Sequence, residues 1–186
     1  MPLNVGDNLT TSRVSFGPGV IAIGVTGATP TVNIGYLGDD AIELEWNSEL
    51  GEITQGNPKI PFLQFARAQN FFVRWTSIEW SANRLAYATG AGVTSISGSN
   101  EIMDFGGDPS PSQVAILIQH RKATAAHTIN VRVWTAGPET GQVSTQLGDD
   151  PHGFGTAFKA LRSTTDWAGN TLDSQSQIVR LDIQLS

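Results

Sequence analysis

The three histidines are the first residues whose side chains could support chemistry. They are His120, His127 and His152. His120 and His127 flank a turn between two predicted strands, so their imidazoles could approach each other across a hairpin as metal ligands. A zinc site needs a third ligand, and the sequence contains no His-Glu-x-x-His motif or comparable spacing. We therefore expect structural or surface histidines and no metal site.

Clustered carboxylates are the second possible source of chemistry. The tetrapeptide Leu-Gly-Asp-Asp occurs at 37–40 and again at 147–150. Neither copy has the alternating ligands and closing glutamate of a calcium loop, so both are predicted to be acidic turns. Glu43 and Glu45 lie two positions apart in a predicted strand and therefore share one face. Such a pair favours a solvated face over a catalytic dyad.

The sequence also lacks the usual elements of nucleophilic catalysis. It contains no cysteine, which excludes thiolate nucleophiles, thiolate metal sites and disulfides. It has no Gly-x-Ser-x-Gly elbow. The Gly-rich run at 90–92 follows a predicted helix instead of preceding one, so it is badly placed to cradle a phosphate. We predict a non-enzymatic protein without a cofactor.

The elements that would carry these residues are mostly β-strands. The 20 Gly and 9 Pro of the 186-residue chain indicate many turns between short strands. Clean alternation of apolar and polar residues marks several of the strands. We predict one domain over residues 1–186, a β-sandwich or open barrel. The predicted strands are 20–25, 41–46, 70–80, 113–120, 128–136 and 177–185, with a possible further strand at 142–147.

One short helix and three irregular segments complete the prediction. The helix covers 81–89, with Ser81 as a side-chain N-cap and Gly90 as its C-terminal stop. Residues 1–18 are predicted to be an N-terminal arm. Residues 47–68 contain several glycines and prolines, which predicts a long loop with a short strand at 52–54. A Gly/Ser-rich turn region is predicted at 90–100.

Charge is distributed unevenly along the chain. Residues 1–60 hold seven acidic and two basic residues, a net charge of −5, and the remainder holds ten acidic and nine basic residues, a net charge of −1. A nucleic-acid binder would instead show a basic cluster. The first ten residues lack the features of a signal peptide, and no stretch approaches the ~18 apolar residues of a membrane helix. We expect synthesis in a cytoplasm and no membrane partner.

The order of segments resembles the tail tube (major tail) proteins of long-tailed phages. A strand enters after a Gly-rich turn, a long loop leads to an apolar strand and a helix, and an adjacent strand pair and a Phe-containing segment follow. Glu79 and Gly90 occupy the places expected in the strand-Glu-helix-Gly step. The resemblance covers residues 20–186, and its stretches are 35–44, the loop ending near Lys59 with 71–86, 115–120 with 129–136, and 152–161.

The resemblance implies a structural subunit of a phage virion, assembled in the bacterial cytoplasm. Subunits would join their sheets into hexameric rings, and the rings would stack through the long loop and the N-terminal arm. Partners would be other copies, the tape measure, tail tip and terminator proteins, and DNA that passes without specific binding. The candidate lumen-lining acids are Asp39, Asp40, Glu43 and Glu45. The candidate ring-stacking residues are Gly51, Gln55, Lys59 and Phe62.

Three alternatives remain open at the level of sequence. The first is the inner tube of a contractile injection system, which also forms hexameric rings. The second is a sugar-binding β-sandwich in which Trp75, Trp80, Trp134 and Trp167 stack on sugar rings. The third is a hydrolase, which the missing nucleophile and metal patterns disfavour. A channel lined by carboxylates would repel DNA phosphates and let DNA slide, which gives the acidic bias a role in a tube.

Overall fold

The computed structural model describes residues 19–35, 37, 42–56, 58–90, 92–104, 111–121, 128–139 and 153–184. The protein is mostly β with one short helix, consistent with the predicted β-sandwich. The helix α1 is Ala82–Thr89. The strands are β1 Val20–Val25, β2 Val32–Asn33, β3 Glu43–Gln55, β4 Ile60–Ser77, β5 Val93–Ser97, β6 Asn100–Asp104, β7 Val114–Arg121, β8 Thr128–Pro138, β9 Phe154–Ala160 and β10 Val179–Ile183.

Eight strands form one antiparallel sheet in the order β2-β1-β7-β8-β9-β4-β3. Strand β8 has three partners. One edge pairs with β7, and the other is shared by β10, opposite residues 129–133, and by β9, opposite residues 136–138. Strand β8 is therefore the element that both halves of the sheet have in common. Among the described strands, β5 and β6 pair only with each other.

The core follows from strand alternation. Every second residue of a strand points to one face, so the inward positions of the main sheet bury their side chains together. The ring of Trp75 stacks on Phe158 with centroids 5.5 Å apart. Burying each large apolar side chain stabilises the fold by about 1.5–3 kcal/mol. The residues buried to 1% exposure or less include Ile21, Ile23, Val73, Val114, Ile116, Val133 and Phe158.

Helix α1 ends as predicted but begins differently. Gly90 adopts a left-handed φ of 64° and donates its N–H to Tyr87 O at 3.3 Å, a normal C-terminal stop. The Ser81 hydroxyl, however, makes no capping bond to the helix. Instead, Glu101 Oε2 accepts hydrogen bonds from Ala82 N at 2.8 Å and from Ser81 Oγ at 2.9 Å. The carboxylate therefore comes from β6. Its partner strand β5 lies within the 90–100 region that was predicted to be turns, so that prediction is wrong for residues 93–97.

Residues 47–68 form a β-hairpin, so the prediction of a long loop is wrong. Strands β3 and β4 pair from Glu43–Arg74 to Gln55–Ile60, and the turn between them includes Gly56, Pro58 and Lys59. The strand predicted at 52–54 lies within β3. Pro61 is tolerated because it sits beside a bulge in a two-stranded ribbon, where the ladder is already interrupted. Residues 1–18, 142–147, His127 and His152 lie outside the described residues.

Candidate functional site

The distal part of the β3–β4 hairpin, residues 47–69, is named here the hairpin arm. Strand β9 pairs with β4 only over residues 72–77, so within the described chain the hairpin arm is hydrogen-bonded only to itself. Its longer strand, residues 60–69, spans roughly 33 Å when extended. A two-stranded ribbon of this kind is marginally stable in water unless it packs against something. The hairpin arm is therefore the part of the fold that most needs a partner.

One face of the hairpin arm is apolar. Directly paired residues of an antiparallel ribbon point to the same side. Gly51, Ile53 and Gln55 of β3 point to one face because they are two residues apart. Their partners in β4 are Phe65, Leu63 and Ile60, which therefore lie on the same face. This arm patch consists of Ile53, Ile60, Leu63 and Phe65, which are 45%, 62%, 49% and 42% exposed. Contiguous exposed apolar side chains of this kind mark association surfaces.

Gly51 supports this patch from inside the hairpin arm. It is buried, and a Cβ added there would lie 2.8 Å from Phe65 Cζ and 2.6 Å from Arg67 Nε. The side chains of Phe65 and Arg67 thus lie across the glycine. Gly51 was predicted to contact a neighbouring ring, and its position here is that of a packing residue under an aromatic side chain.

The other predicted stacking residues lie near the tip of the hairpin arm. Gln55 ends β3 and is exposed, and Lys59 lies exposed in the turn. Phe62 lies in β4 at a bulge, because Ile53 pairs with Leu63 and Thr54 with Pro61, leaving Phe62 without a direct partner in the ladder. Three of the four predicted residues are therefore on strands, although all four belong to the hairpin arm.

The acidic pair Glu43 and Glu45 lies on the solvent face, where it meets a base that the sequence analysis missed. Arg74 Nη1 is 2.5 Å from Glu45 Oε2 and 3.6 Å from Glu43 Oε1. Its Nε and Nη2 donate to the two oxygens of Glu139, both at 3.1 Å. These bonds, to Glu139 first and then to Glu45, raise the pKa of Arg74 above its ordinary value. Asp39 and Asp40 lie outside the described residues.

The face around this cluster is close to charge balance. Three carboxylates, those of Glu43, Glu45 and Glu139, stand against Arg74 and Lys159, a net charge of −1. Arg74 and Lys159 both lie over the ring of Phe72, at 5.0 and 5.8 Å from its centroid. Glu43 and Glu45 therefore share a face, and the bases of the neighbouring strands largely neutralise them.

Two edges of the main sheet expose apolar side chains that extend the core. Leu44 of β3 is 44% exposed although it is opposite the buried Val73, and Trp46 beside it is 51% exposed. At the β10 edge, Leu181 is 58% exposed although it is opposite the buried Val131. Unpaired strand edges with apolar side chains are templates for pairing with another chain. Among the described strands, β3 and β10 provide such edges.

The tryptophans do not form a sugar-binding platform. Trp75 is 5% and Trp134 3% exposed, so neither ring face is open to a ligand. Trp134 packs edge-on against Trp167, with centroids 5.0 Å apart, and donates its indole N–H to Ser176 O at 2.8 Å. Of the four residues considered, Trp80 alone is half exposed, and it packs edge-on against Phe154.

The described ranges contain no group of three side chains that could hold a metal ion. No helix in this part of the chain is long and apolar enough to cross a membrane. Comparison with models of known protein families and with curated proteins finds no match to this chain. Its function is therefore inferred from the hairpin arm, the open sheet edges and the charged face.

Proposed function

We propose that the protein is a structural subunit of a phage tail tube, which assembles into stacked hexameric rings that conduct DNA. The proposal rests on the resemblance in segment order and on one structural observation, the hairpin arm. A self-paired ribbon that exposes four large apolar side chains on one face is suited to contact another subunit. The subunit has no catalytic role in this proposal.

Lateral contacts between subunits use the open edges of the main sheet. The β3 edge carries Leu44 and Trp46, and the β10 edge carries Leu181 and Ile183, all exposed. Pairing of one subunit's edge with its neighbour's would satisfy backbone groups and cover these side chains together. A ring built in this way covers the β3 and β10 edges, which limits uncontrolled edge-to-edge aggregation.

Axial contacts between rings use the hairpin arm. A ribbon of roughly 33 Å length and 10 Å width offers roughly 330 Å² on the face that carries the arm patch. A stable interface buries about 800 Å² per partner, so the hairpin arm supplies part of one contact. The arm patch binds the next ring in this arrangement, and Gln55 and Lys59 at the tip supply polar contacts at its rim.

The charged face is proposed to line the channel. Glu43 and Glu45, together with Asp39 and Asp40, are the acids assigned to the lumen. Arg74 and Lys159 reduce the charge of this wall without making it basic. DNA phosphates would then meet a weakly negative surface and slide past without binding. Tape measure, tail tip and terminator proteins are the further partners, the virion tail is the location, and assembly takes place in the cytoplasm of the bacterial host.

Negative-stain electron microscopy of the purified full chain, with light scattering over a concentration series, tests the proposal. Rings or hollow tubes are expected for the unaltered protein. The double variant Ile53→Glu, Leu63→Glu places two charges in the arm patch and should stop stacking. Ile96→Glu is the matched control, because Ile96 is 80% exposed but lies in β5. A protein that stays monomeric at every concentration would contradict the proposed function.

A further inference from the structure

A cluster of polar contacts, named here the clasp, links the main sheet to helix α1. Arg84 of α1 forms an ion pair with Glu79, which lies just after β4. Arg84 Nε also donates to Asn33 O at 3.2 Å, and the Asn33 side chain accepts the Gly35 N–H at 2.9 Å. A Cβ at Gly35, whose φ is +84°, would collide with Glu79 and Arg84. The clasp of Asn33, Gly35, Glu79 and Arg84 therefore joins β2, β4 and α1.

Beneath this clasp lies a small cavity inside the core. Its wall includes Ile23 and Trp75 on the apolar side and Ser77, Arg84 and Thr156 on the polar side. It offers about 10 Å³ to the centre of a water-sized molecule. A cavity that holds one water molecule needs about 10–15 Å³ by this measure, together with two to four polar partners. The space therefore fits one water and excludes any larger ligand.

The Thr156 hydroxyl provides the second observation. Strand pairing places Thr156 opposite Trp75 and Phe154 opposite Ser77, so these side chains share the inward face. Thr156 is 3% exposed, and its Oγ1 is buried without a hydrogen-bond partner among the described residues. An unpaired buried hydroxyl destabilises a fold, because its hydrogen bonds to water are lost and not replaced. The neighbouring Ser77 hydroxyl already donates to Ile34 O at 3.4 Å.

We infer that this cavity is a binding site for a single buried water molecule that links the Thr156 hydroxyl to the Arg84 guanidinium. A hydroxyl can donate one hydrogen and accept two, so Thr156 can bond to the water in either sense. Arg84 Nη1 carries two hydrogens. It lies in the ion pair with Glu79 but, like Thr156 Oγ1, is buried without a hydrogen-bond partner among the described residues. The water thereby connects Thr156 of β9 to Arg84 of α1, so the clasp is linked to the core by hydrogen bonds. This inference is independent of the proposed tube function.

High-resolution crystal structures of the unaltered protein and of Thr156→Val provide the decisive test. The unaltered protein should show a density peak within hydrogen-bonding distance of Thr156 Oγ1 and Arg84 Nη1, and the peak should be absent from the valine variant. A cavity without density in the unaltered protein, or density that bonds to neither side chain, would overturn the inference.

Thermal unfolding of the same variants gives a second, independent outcome. If the hydroxyl holds a water, Thr156→Val should lower the unfolding midpoint by about 2–4 °C, the shift that corresponds to one lost hydrogen-bonded link in a chain of this size. Thr156→Ser, which keeps the hydroxyl, should lose less. If the hydroxyl is unpaired, its replacement by a methyl group relieves a penalty. A valine variant as stable as the unaltered protein, or more stable, would then refute the bound water.

Discussion

The hairpin arm and the β5–β6 hairpin are both two-stranded ribbons outside the core, but they are held in opposite ways. The β5–β6 hairpin has five residues per strand and is fixed to α1 through Glu101. The hairpin arm, residues 47–69, continues two strands of the main sheet. Among the described residues, its two strands pair only with each other. Its apolar side chains form one patch, whereas Ile96 of β5 stands exposed at 80%. The short ribbon is thus fixed to the helix by a carboxylate, whereas the long apolar ribbon would contact a second subunit in the proposed assembly.

Removing the hairpin arm is the strongest way to test this contrast. Replacement of residues 49–68 by Asn-Gly would join Ser48 to Gln69, which face each other in the ladder, through a two-residue turn. Half-burial of four large apolar side chains contributes about 3 kcal/mol, so assembly should require at least about 100-fold higher concentration. Light scattering measures this change, and circular dichroism should show an intact body. Tubes formed at the normal concentration would assign stacking to another surface.

Gly51→Ala disturbs the hairpin arm without shortening it. The new methyl group would displace Phe65 and Arg67 from their positions across the glycine. We expect assembly to weaken about 10-fold, or about 1.4 kcal/mol, while the unfolding midpoint of the body is unchanged. Gly155→Ala is the matched control, because a Cβ at that strand glycine would meet no atom within 4 Å. Equal effects of the two variants would show that the packing under Phe65 is unimportant.

Glu101→Ala tests the hydrogen bonds that fix β6 to the start of α1. Loss of the carboxylate leaves the Ala82 N–H without its cap, and we expect the free energy of unfolding to fall by about 1 kcal/mol. Ser81→Ala should cost less, because the serine hydroxyl donates only to the same carboxylate. Chemical denaturation gives both values. A larger loss for Ser81→Ala would restore the serine as the true cap.

Asp166 provides the smallest expected effect and extends the comparison to pH. Its carboxylate accepts hydrogen bonds from the side chain and N–H of Asn170 and from the N–H of Ala168, and the Asn170 side chain is the main cause of its lowered pKa. A lowered pKa stabilises the fold above the ordinary aspartate value, and this contribution is lost as the pH falls through the folded value. Unfolding midpoints below pH 4 should therefore decline less steeply in Asp166→Asn. Parallel curves for the two proteins would exclude this role.

Local patterns predicted the parts of the fold that local chemistry determines. Strand β1 was predicted at its observed bounds, and the end of α1 followed from Gly90, whose left-handed φ suits glycine. The hairpin arm was missed because its glycines and prolines resemble loop signals, yet Gly51 is covered by Phe65 and Pro61 lies at a bulge. Sequence pattern alone does not reveal that a neighbouring strand compensates for a poor strand former.

The shared face of Glu43 and Glu45 could be predicted from the sequence, but the base beside them could not. Glu43 and Glu45 share a solvent face because they are two apart, which is a local property. Arg74 lies 29 positions from Glu45 and 65 from Glu139, so its pairing depends on sheet register and on the end of β8. The same reason hides the Glu101 cap, which comes from an element 19 positions further along the chain.

Strand β4 runs without interruption for 18 residues, from Ile60 at the tip of the hairpin arm to Ser77 beside the clasp. Its inner half buries Val73 and Trp75 in the core, so one continuous strand links the exposed tip to the buried core. A force applied at the tip would be carried along β4 into the core, past the two register shifts near Phe62 and Arg67. The strand that would transmit it is about 60 Å long when fully extended.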